Sequence, residues 1–504
     1  MMTTAEAKKR LEEVVIENGV ITQMEVIPAD PNLTILAFQT GPMPEYCRVC
    51  VQLDPGGNSH IQVELWLPTE TWNGNFLGTG NGGAAGSIVS LSLVEGVRAG
   101  YATANTDLGT SLELGEMVGA PERWEDFGYL ATHRMTVVAK QLIEAFYGKP
   151  PKYSYFRGGS TGGQQALREA ENFPLDYNGI LVEAPANNRT NLHIGFVWDW
   201  QALTKTPQAY IDQKTAEAIK RRIYEVYGDT PTVEPYGKFL AYPHLIDLDI
   251  KVLEDMKDPA LHPDQIEALK AIYAGPVDPV TGEQIHLPVV VPGSEASPLG
   301  IPDQGAKEDF PKTLFFILHW LYGWDFDFTT FDFHNDTAYV REKLDAILNA
   351  DTADLSGFRA AGGKLLMLHG TADPIIPYTS SLDYYERVIK LQGGLESTKE
   401  FFRYFLIPGL AHSFGGPIVQ IIGNYGAPRD VEHDPLAALA AWVEEEKAPE
   451  RLLALRLPEG DLKNLFSPQG FEAEIPAYAY PNRMQYIAGD PAKADSYNAV
   501  PMER

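Results

Sequence analysis

Phe156-Arg-Gly-Gly-Ser-Thr-Gly-Gly-Gln164 (FRGGSTGGQ) sets one serine among four glycines directly after the apolar run YSYF, residues 153–156. Gly158, Ser160 and Gly162 satisfy G-x-S-x-G, a pattern with chemical meaning only where a strand enters it and a helix leaves it. Both are present here. YSYF has the aromatic content of a short buried strand, and GQQALREAENF (163–173) carries a helical pattern. In that setting glycines are required because the turn is strained and neighbouring backbone comes close, and the serine hydroxyl stands at the carboxyl edge of a sheet. The competing reading is an ordinary surface loop, since G-x-S-x-G also arises by chance in a chain with 45 glycines.

Strands and helices alternate around this turn. IQVELWLP (61–68) alternates as a half-buried strand should, NFLGTG (75–80) and YATANTDLG (101–109) read as buried strands ending in loops, and Phe127 to Tyr147 has helical spacing. YSYF, the helix after Ser160 and the strand GILVEA (179–184) follow. Such alternation predicts a parallel sheet with helices on its faces. After Pro185 it stops, and a region rich in Trp, Tyr, Phe and Pro runs to about residue 355. It resumes with the strand GKLLMLHG (363–370), the helix SLDYYERVIKLQG (381–393), the strand FFRYFLIPG (401–409) and the helix PLAALAAWVEEEK (435–447). The simplest architecture is an N-terminal helix (1–19, with Leu11, Val14 and Val15 on one face and Gly19 closing it), an α/β sheet domain (20–186 and 356–504) and an inserted lid (187–355).

Composition narrows the function classes. The chain is 44% hydrophobic and 11% aromatic, as a folded protein should be, and carries a formal charge of −28. A surface that negative repels phosphate backbones and anionic leaflets, so neither nucleic acid nor membrane is an expected partner; solubility is the plain reading of the charge. The N-terminus lacks the unbroken apolar core of a signal peptide. Only Cys47 and Cys50 occur, in EYCRVC. Two cysteines cannot staple a secreted enzyme of this size in the usual way, which favours a reducing, cytoplasmic location. As CxxC the pair lacks a second CxxC or a nearby His pair to complete a zinc site, and reads as two small half-buried strand residues. No metal and no cofactor is expected.

A serine hydroxyl needs a base to take its proton and an acid to orient that base, in the chain order Ser, Asp or Glu, His for this topology. GKLLMLHG runs into TADPIIP, placing Asp373 just past a strand end, and FFRYFLIPG runs into LAHSFGG, placing His412 at the equivalent point. Ser160, Asp373 and His412 are therefore the candidate triad. His369 lies too close to Asp373 in sequence to act as a second partner across the nucleophile, and could instead orient its loop. His193, His319 and His334 fall in the lid, and His133 falls in a helix. An oxyanion requires two backbone donors. One is the N–H of Thr161, after the nucleophile; the other should come from NGGAAG (81–86), with Gly83 preferred and Gly82 next. GTGNGG (78–83) superficially suggests a dinucleotide loop, but no helix with a suitably placed acidic residue follows.

WNGNFLGTGNGGAAG (72–86), GYATANTD (100–107), YSYFRGGSTGGQQAL (153–167), APANNRTNL (184–192), AIYAGPVDPVTGEQI (271–285), LHGTADPIIP (368–377) and IPGLAHSFGG (407–416) together resemble the tannase and feruloyl esterase family. The resemblance implies an α/β-hydrolase fold with a large lid, a small-molecule aromatic ester as substrate, hydrolysis of esters of hydroxycinnamic or gallic acids, and the same triad. The chain departs from it twice. The family carries a disulfide between the residue before the nucleophile and the residue after the catalytic histidine, where this chain has Gly159 and Ser413. Secreted relatives carry a calcium loop in the lid, whereas AYPHLIDLDIKVLEDMKDPALHP (241–263) has no such glycine-turned loop, so no calcium is expected near Asp247 or Asp249.

FVWDWQAL (196–203) and FFILHWLYGWDFDFTTFDF (315–333) make the lid dense in aromatics. Most must be core; Trp198, Trp200, Trp320 and Trp324 are the candidates to hold an aromatic acid ring. The alternatives left open are a related aryl ester hydrolase or acyltransferase with another acyl group, of the terephthalate half-ester type, and a non-catalytic binding protein on the same scaffold. Monomer and homodimer are equally compatible with the sequence.

Overall fold

The computed structural model describes residues 4–35, 38–111, 114–229, 238–306, 313–423, 426–458, 465 and 470–502. In chain order, β1 (Gly19–Ile27) is followed by a small two-stranded sheet of β2 (Asp30–Ile35) and β3 (Phe38–Met43), then β4 (Tyr46–Gly56), β5 (Ser59–Pro68), β6 (Phe76–Thr79), β7 (Ala102–Thr106), β8 (Ser154–Gly159), β9 (Gly179–Glu183), β10 (Lys364–Gly370) and β11 (Phe402–Ile407). Nine of these form one sheet in the order β1-β4-β5-β7-β6-β8-β9-β10-β11.

The sheet is parallel from β7 to β11 and antiparallel from β1 through β4 and β5 to β7. A wholly parallel sheet, expected from the alternation, is thus corrected at one edge. The reason is local: β4 and β5 are joined by a tight turn too short for a crossover, so they must pair antiparallel. β4 and the first residues of β5 alternate in burial at that edge, whereas β9 and β10 are near-continuous apolar runs, as central parallel strands are, and β11 at the opposite end of the sheet is likewise buried throughout.

Strand order reverses around β6, with β7 on one side and β8 on the other. In an open α/β sheet this is where a crevice opens beyond the carboxyl ends of the strands. The loops leaving β6 and β8 are therefore neighbours, and those leaving β10 and β11 stand two and three strands from β8. Four loops that leave the strands ending at Thr79, Gly159, Gly370 and Ile407 converge on one edge.

Between Glu183 and Lys364 no described residue joins the central sheet. This insertion is built mainly of helices, among them Arg189–Thr204, Gln213–Tyr227, Pro263–Ala274, Phe316–Tyr322 and Asn335–Leu348. Part of it packs on itself through Leu203, Ile219, Ile223, Leu269 and Ile272. Leu192, Phe196, Phe316 and Trp320 instead join the main core beneath the sheet edge.

The chain's ends differ from expectation. The first helix is Thr4–Glu12; Leu11 is buried, but Val15 lies beyond its end and is 85% exposed. Gly19 starts β1 rather than closing the helix. Two small sheets near the C-terminus, β12 (Arg451–Arg456) with β13 (Ala473–Tyr478) and β14 (Asn482–Tyr486) with β15 (Tyr497–Pro501), were not foreseen. Cys47 is buried and Cys50 half-buried on β4, three residues apart and so on opposite faces; burial pushes the Cys47 thiol up to about 11. Among the described residues no helix is long and apolar enough to cross a membrane.

Candidate active site

Ser160 joins β8 to the helix Thr161–Asn172 with φ 60° and ψ −118°, a left-handed backbone that non-glycine residues seldom adopt. Three backbone bonds hold it: its N–H donates to Glu183 O (3.0 Å), and its carbonyl accepts from Gln164 N–H (3.1 Å) and Ala186 N–H (3.2 Å). The flanking glycines are steric necessities. A Cβ on Gly158 would come within 2.2 Å of the Gly162 carbonyl oxygen, and one on Gly80 within 2.5 Å of Gly162 Cα. Gly162 N–H donates to Asn81 O at 2.7 Å, fastening the turn to the loop after β6.

Asp373 lies three residues beyond β10 and His412 five beyond β11. His412 Nδ1 is 2.7 Å from Asp373 Oδ2, and the carboxylate is fully buried. Its Oδ1 accepts from the N–H groups of Ile375 and Ile376, both at 3.0 Å. Burial alone would raise the Asp373 pKa; attraction to His412 and the hydrogen bonds from His369 and His412 outweigh it and hold the carboxyl below the usual carboxylate range.

His369 is part of this arrangement. Its Nε2 lies 3.2 Å from Asp373 Oδ2 and 3.0 Å from Ile376 O, and its Nδ1 lies 2.8 Å from Ser381 Oγ. With Nε2 protonated, the ring braces the aspartate from behind while accepting the serine hydroxyl on the other nitrogen.

Ser160 and His412 both line a cavity of about 760 Å³ at the switch point, together with Gly82 and Gly83. Its apolar wall includes Leu192, Phe196, Leu314, Phe316, Ile375 and Phe414. Thr161 is buried behind the serine, and its Oγ1 donates to Gly83 O at 2.7 Å. Being the first helical residue, Thr161 has a backbone N–H with no intrahelical acceptor.

None of the four tryptophans lines this cavity, which corrects the expectation that they would hold the substrate ring. Trp320 is fully buried and packs edge-on against Phe127 at 5.1 Å. Trp198 packs against Phe333 and donates to Ala271 O, Trp200 packs against Phe315, and Trp324 stacks on His319 at 4.0 Å. The insertion uses Trp198, Trp200 and Trp324 against its own residues and Trp320 where it joins the main core. Smaller aromatics face the cavity instead.

Of the competing histidines only His193 lines the cavity, among the described residues. It meets Phe196 and Phe316 edge-on, and burial and the nearby Arg189 charge hold its pKa well below the ordinary value, so the ring is neutral. His133 pairs with Asp176 and His334 with Asp278. The cavity-lining residues Arg189, His193 and Phe196 had not been singled out together. They stand at i, i+4 and i+7 on the helix Arg189–Thr204, so a search for one helical face directly after APANN would have found them.

The sequence profile described as "Tannase and feruloyl esterase" matches residues 47–226 and 251–500. The chain is 31% identical over 548 aligned residues to an uncharacterized esterase of Xanthomonas campestris pv. campestris, covering 99% of this chain and 92% of the other. It is 32% identical over 470 residues to a probable feruloyl esterase B of Aspergillus clavatus, covering 89% and 87%. The crystal structure of an esterase from Aspergillus oryzae superposes with a TM-score of 0.84 at 26% identity, over 99% of this chain and 100% of that one. Feruloyl esterase B from the same organism, at 24% identity, shares the fold with a TM-score of 0.85 over the same coverage. The protein thus has the α/β-hydrolase fold and is a carboxylic ester hydrolase belonging to the tannase and feruloyl esterase family.

Proposed function

We propose that this enzyme hydrolyses carboxylic esters of aromatic acids, hydroxycinnamic or gallic, through an acyl-enzyme on Ser160. One observation carries the reading: a serine on a strained strand-to-helix turn and a histidine bonded to a buried aspartate open onto the same aromatic-walled cavity. A volume near 760 Å³ lies within the range of small-molecule sites.

In the proposed cycle Asp373 holds His412 with Nδ1 protonated, leaving Nε2 to take the Ser160 proton as Oγ attacks the ester carbonyl carbon. Negative charge moves to the carbonyl oxygen, where the N–H groups of Thr161 and Gly83 receive it. Collapse returns the electron pair, breaks the bond to the alcohol oxygen, and His412 protonates that oxygen as it leaves. Water, deprotonated by the same imidazole, then attacks the acyl carbon; the bond from that carbon to Ser160 Oγ breaks, His412 returns the proton to Oγ, and the acid leaves. In this reading residues 187–355 act as the lid, contributing Leu192, Phe196 and Phe316 to the acyl pocket.

A substrate panel of methyl ferulate, methyl gallate, chlorogenate and a terephthalate half-ester, compared by kcat/KM, tests the acyl preference. The reading requires the first three as a group to exceed the half-ester. A preference for the half-ester would overturn it.

A further inference from the structure

Arg189 is 3% exposed, lines the cavity, and has no carboxylate paired with it among the described residues. Its Nε donates to Gln164 Oε1 at 2.7 Å and its Nη2 to Thr161 Oγ1 at 2.8 Å. The same hydroxyl then donates to Gly83 O at 2.7 Å. The rings of Phe127 and Phe316 lie beside the guanidinium, their centroids 5.5 and 5.7 Å from its carbon and 6.0 Å from each other.

A buried cation without a counter-ion is unfavourable, and burial pushes this guanidinium down to about 9. Such a group is retained where negative charge develops or where it holds other groups in place. Both conditions meet here. The relay Arg189 to Thr161 hydroxyl to Gly83 carbonyl ties the serine turn to the loop after β6, and these two segments carry the N–H groups that the proposed mechanism needs. Gly162 N–H to Asn81 O and Asn81 N–H to Gln165 Oε1 already join the two segments at Asn81; the relay extends the fastening to Gly83 itself.

We infer that Arg189 is a positioning residue for the oxyanion site: through the Thr161 hydroxyl it fixes the loop of Gly83 against the turn of Ser160, and its charge favours the anionic tetrahedral state. This rests on the reading of Ser160 as nucleophile and of Thr161 and Gly83 as donors. A group acting on the transition state lowers kcat, whereas one that only shapes the pocket changes KM.

The test uses the full-length enzyme with methyl ferulate, comparing Arg189→Met, Arg189→Lys, Thr161→Val and the double variant Arg189→Met/Thr161→Val. Arg189→Met should lower kcat by roughly 10- to 100-fold, less than the loss of an oxyanion donor itself, with KM changed by less than about threefold. Arg189→Lys should recover part of that loss. Because both residues act through one hydroxyl, the double variant should be no slower than the slower single variant by more than about twofold. The inhibition constant of phenylboronic acid, which forms a tetrahedral adduct with the serine, should rise in parallel with the fall in kcat, while that of free ferulate stays fixed. Thermal melts report whether each variant is folded; if Arg189→Met is not, Arg189→Lys and Thr161→Val carry the comparison. Unchanged kcat in folded variants, fully additive losses, or equal weakening of boronate and ferulate would overturn the inference. A Ser160→Ala control separates the two layers: activity in that variant overturns the nucleophile assignment itself, whereas an inactive Ser160→Ala beside a fully active Arg189→Met overturns only the role of Arg189.

Discussion

A Cβ placed on Gly159 would lie 3.0 Å from Ser413 Oγ. In a disulfide each Cβ sits roughly 3 Å from its partner's sulfur, as the S–S length and the angle at sulfur demand. The two positions flank Ser160 and His412, and they are where the family resemblance puts its cystine. Gly159 and Ser413 thus keep the serine and histidine loops at the spacing such a bridge needs without carrying one.

The pair Gly159→Cys with Ser413→Cys should therefore close on air oxidation with activity retained. A cross-link spanning so long a loop is expected to add about 2–4 kcal/mol. Melting with and without reductant checks this: the double variant should melt higher only when oxidised, and a melting temperature indifferent to reductant would contradict the geometry.

Asp373 gives a pH signature. Its folded pKa lies below the ordinary carboxylate value because His412 and His369 outweigh burial. A carboxyl depressed on folding stabilises the protein above its unfolded pKa, about 3.9, and that contribution is lost as pH falls through the folded value. The stability advantage of the wild type over Asp373→Asn should be fully present at pH 6 to 7 and shrink below about pH 4. At neutral pH the variant should also lose roughly three to four orders of magnitude in kcat, because Asn cannot hold His412 in the required tautomer.

Glu169 behaves in the opposite sense. It is 1% exposed on the helix that follows Ser160, and burial, reinforced by Asp176, holds its pKa well above the ordinary value. An unfolded Glu ionises near pH 4.3, so a folded group that resists ionisation makes stability fall as pH rises through the interval between the two values. Glu169→Gln removes that dependence. The variant's melting temperature relative to wild type should climb between pH 5 and 8; a constant difference would show that the buried carboxyl does not titrate as described.

Phe414 is 46% exposed, follows Ser413, and lines the cavity. An aromatic contact is worth about 0.5–1.5 kcal/mol beyond area, or roughly 2- to 13-fold. Phe414→Ala should lower kcat/KM for methyl ferulate by that factor, leave p-nitrophenyl acetate hydrolysis nearly unchanged, and shift the melting temperature little. Equal losses on both esters would point to damage to the histidine loop instead.

What could be read from the chain alone was what is encoded locally. The strand, turn and helix around Ser160 occupy about twenty consecutive residues, and Asp373 and His412 each follow a short apolar strand directly, so order and spacing were enough to nominate them. The insertion was less readable, because its function depends on which face of each helix meets the sheet edge. Phe316 and Trp320 are four residues apart on one short helix, yet Phe316 reaches the cavity and Trp320 is sealed against Phe127. Spacing puts both on one side of the helix and cannot say which end covers the serine. The antiparallel edge and the small C-terminal sheets were missed for a different reason: β4 with β5, β12 with β13 and β14 with β15 each pair with the next strand in the chain, and apolar spacing alone does not say whether a strand folds back on its neighbour or crosses over to it.

The central claim is that ester hydrolysis passes through an acyl group on Ser160. Acid-quenched reactions with methyl ferulate, analysed by intact and peptide mass spectrometry, address it directly. The account predicts a feruloyl mass increment on the peptide containing Ser160 in the wild type, and neither increment nor turnover in folded Ser160→Ala. Turnover by Ser160→Ala at the wild-type rate, or an acyl group on a different residue, would contradict it.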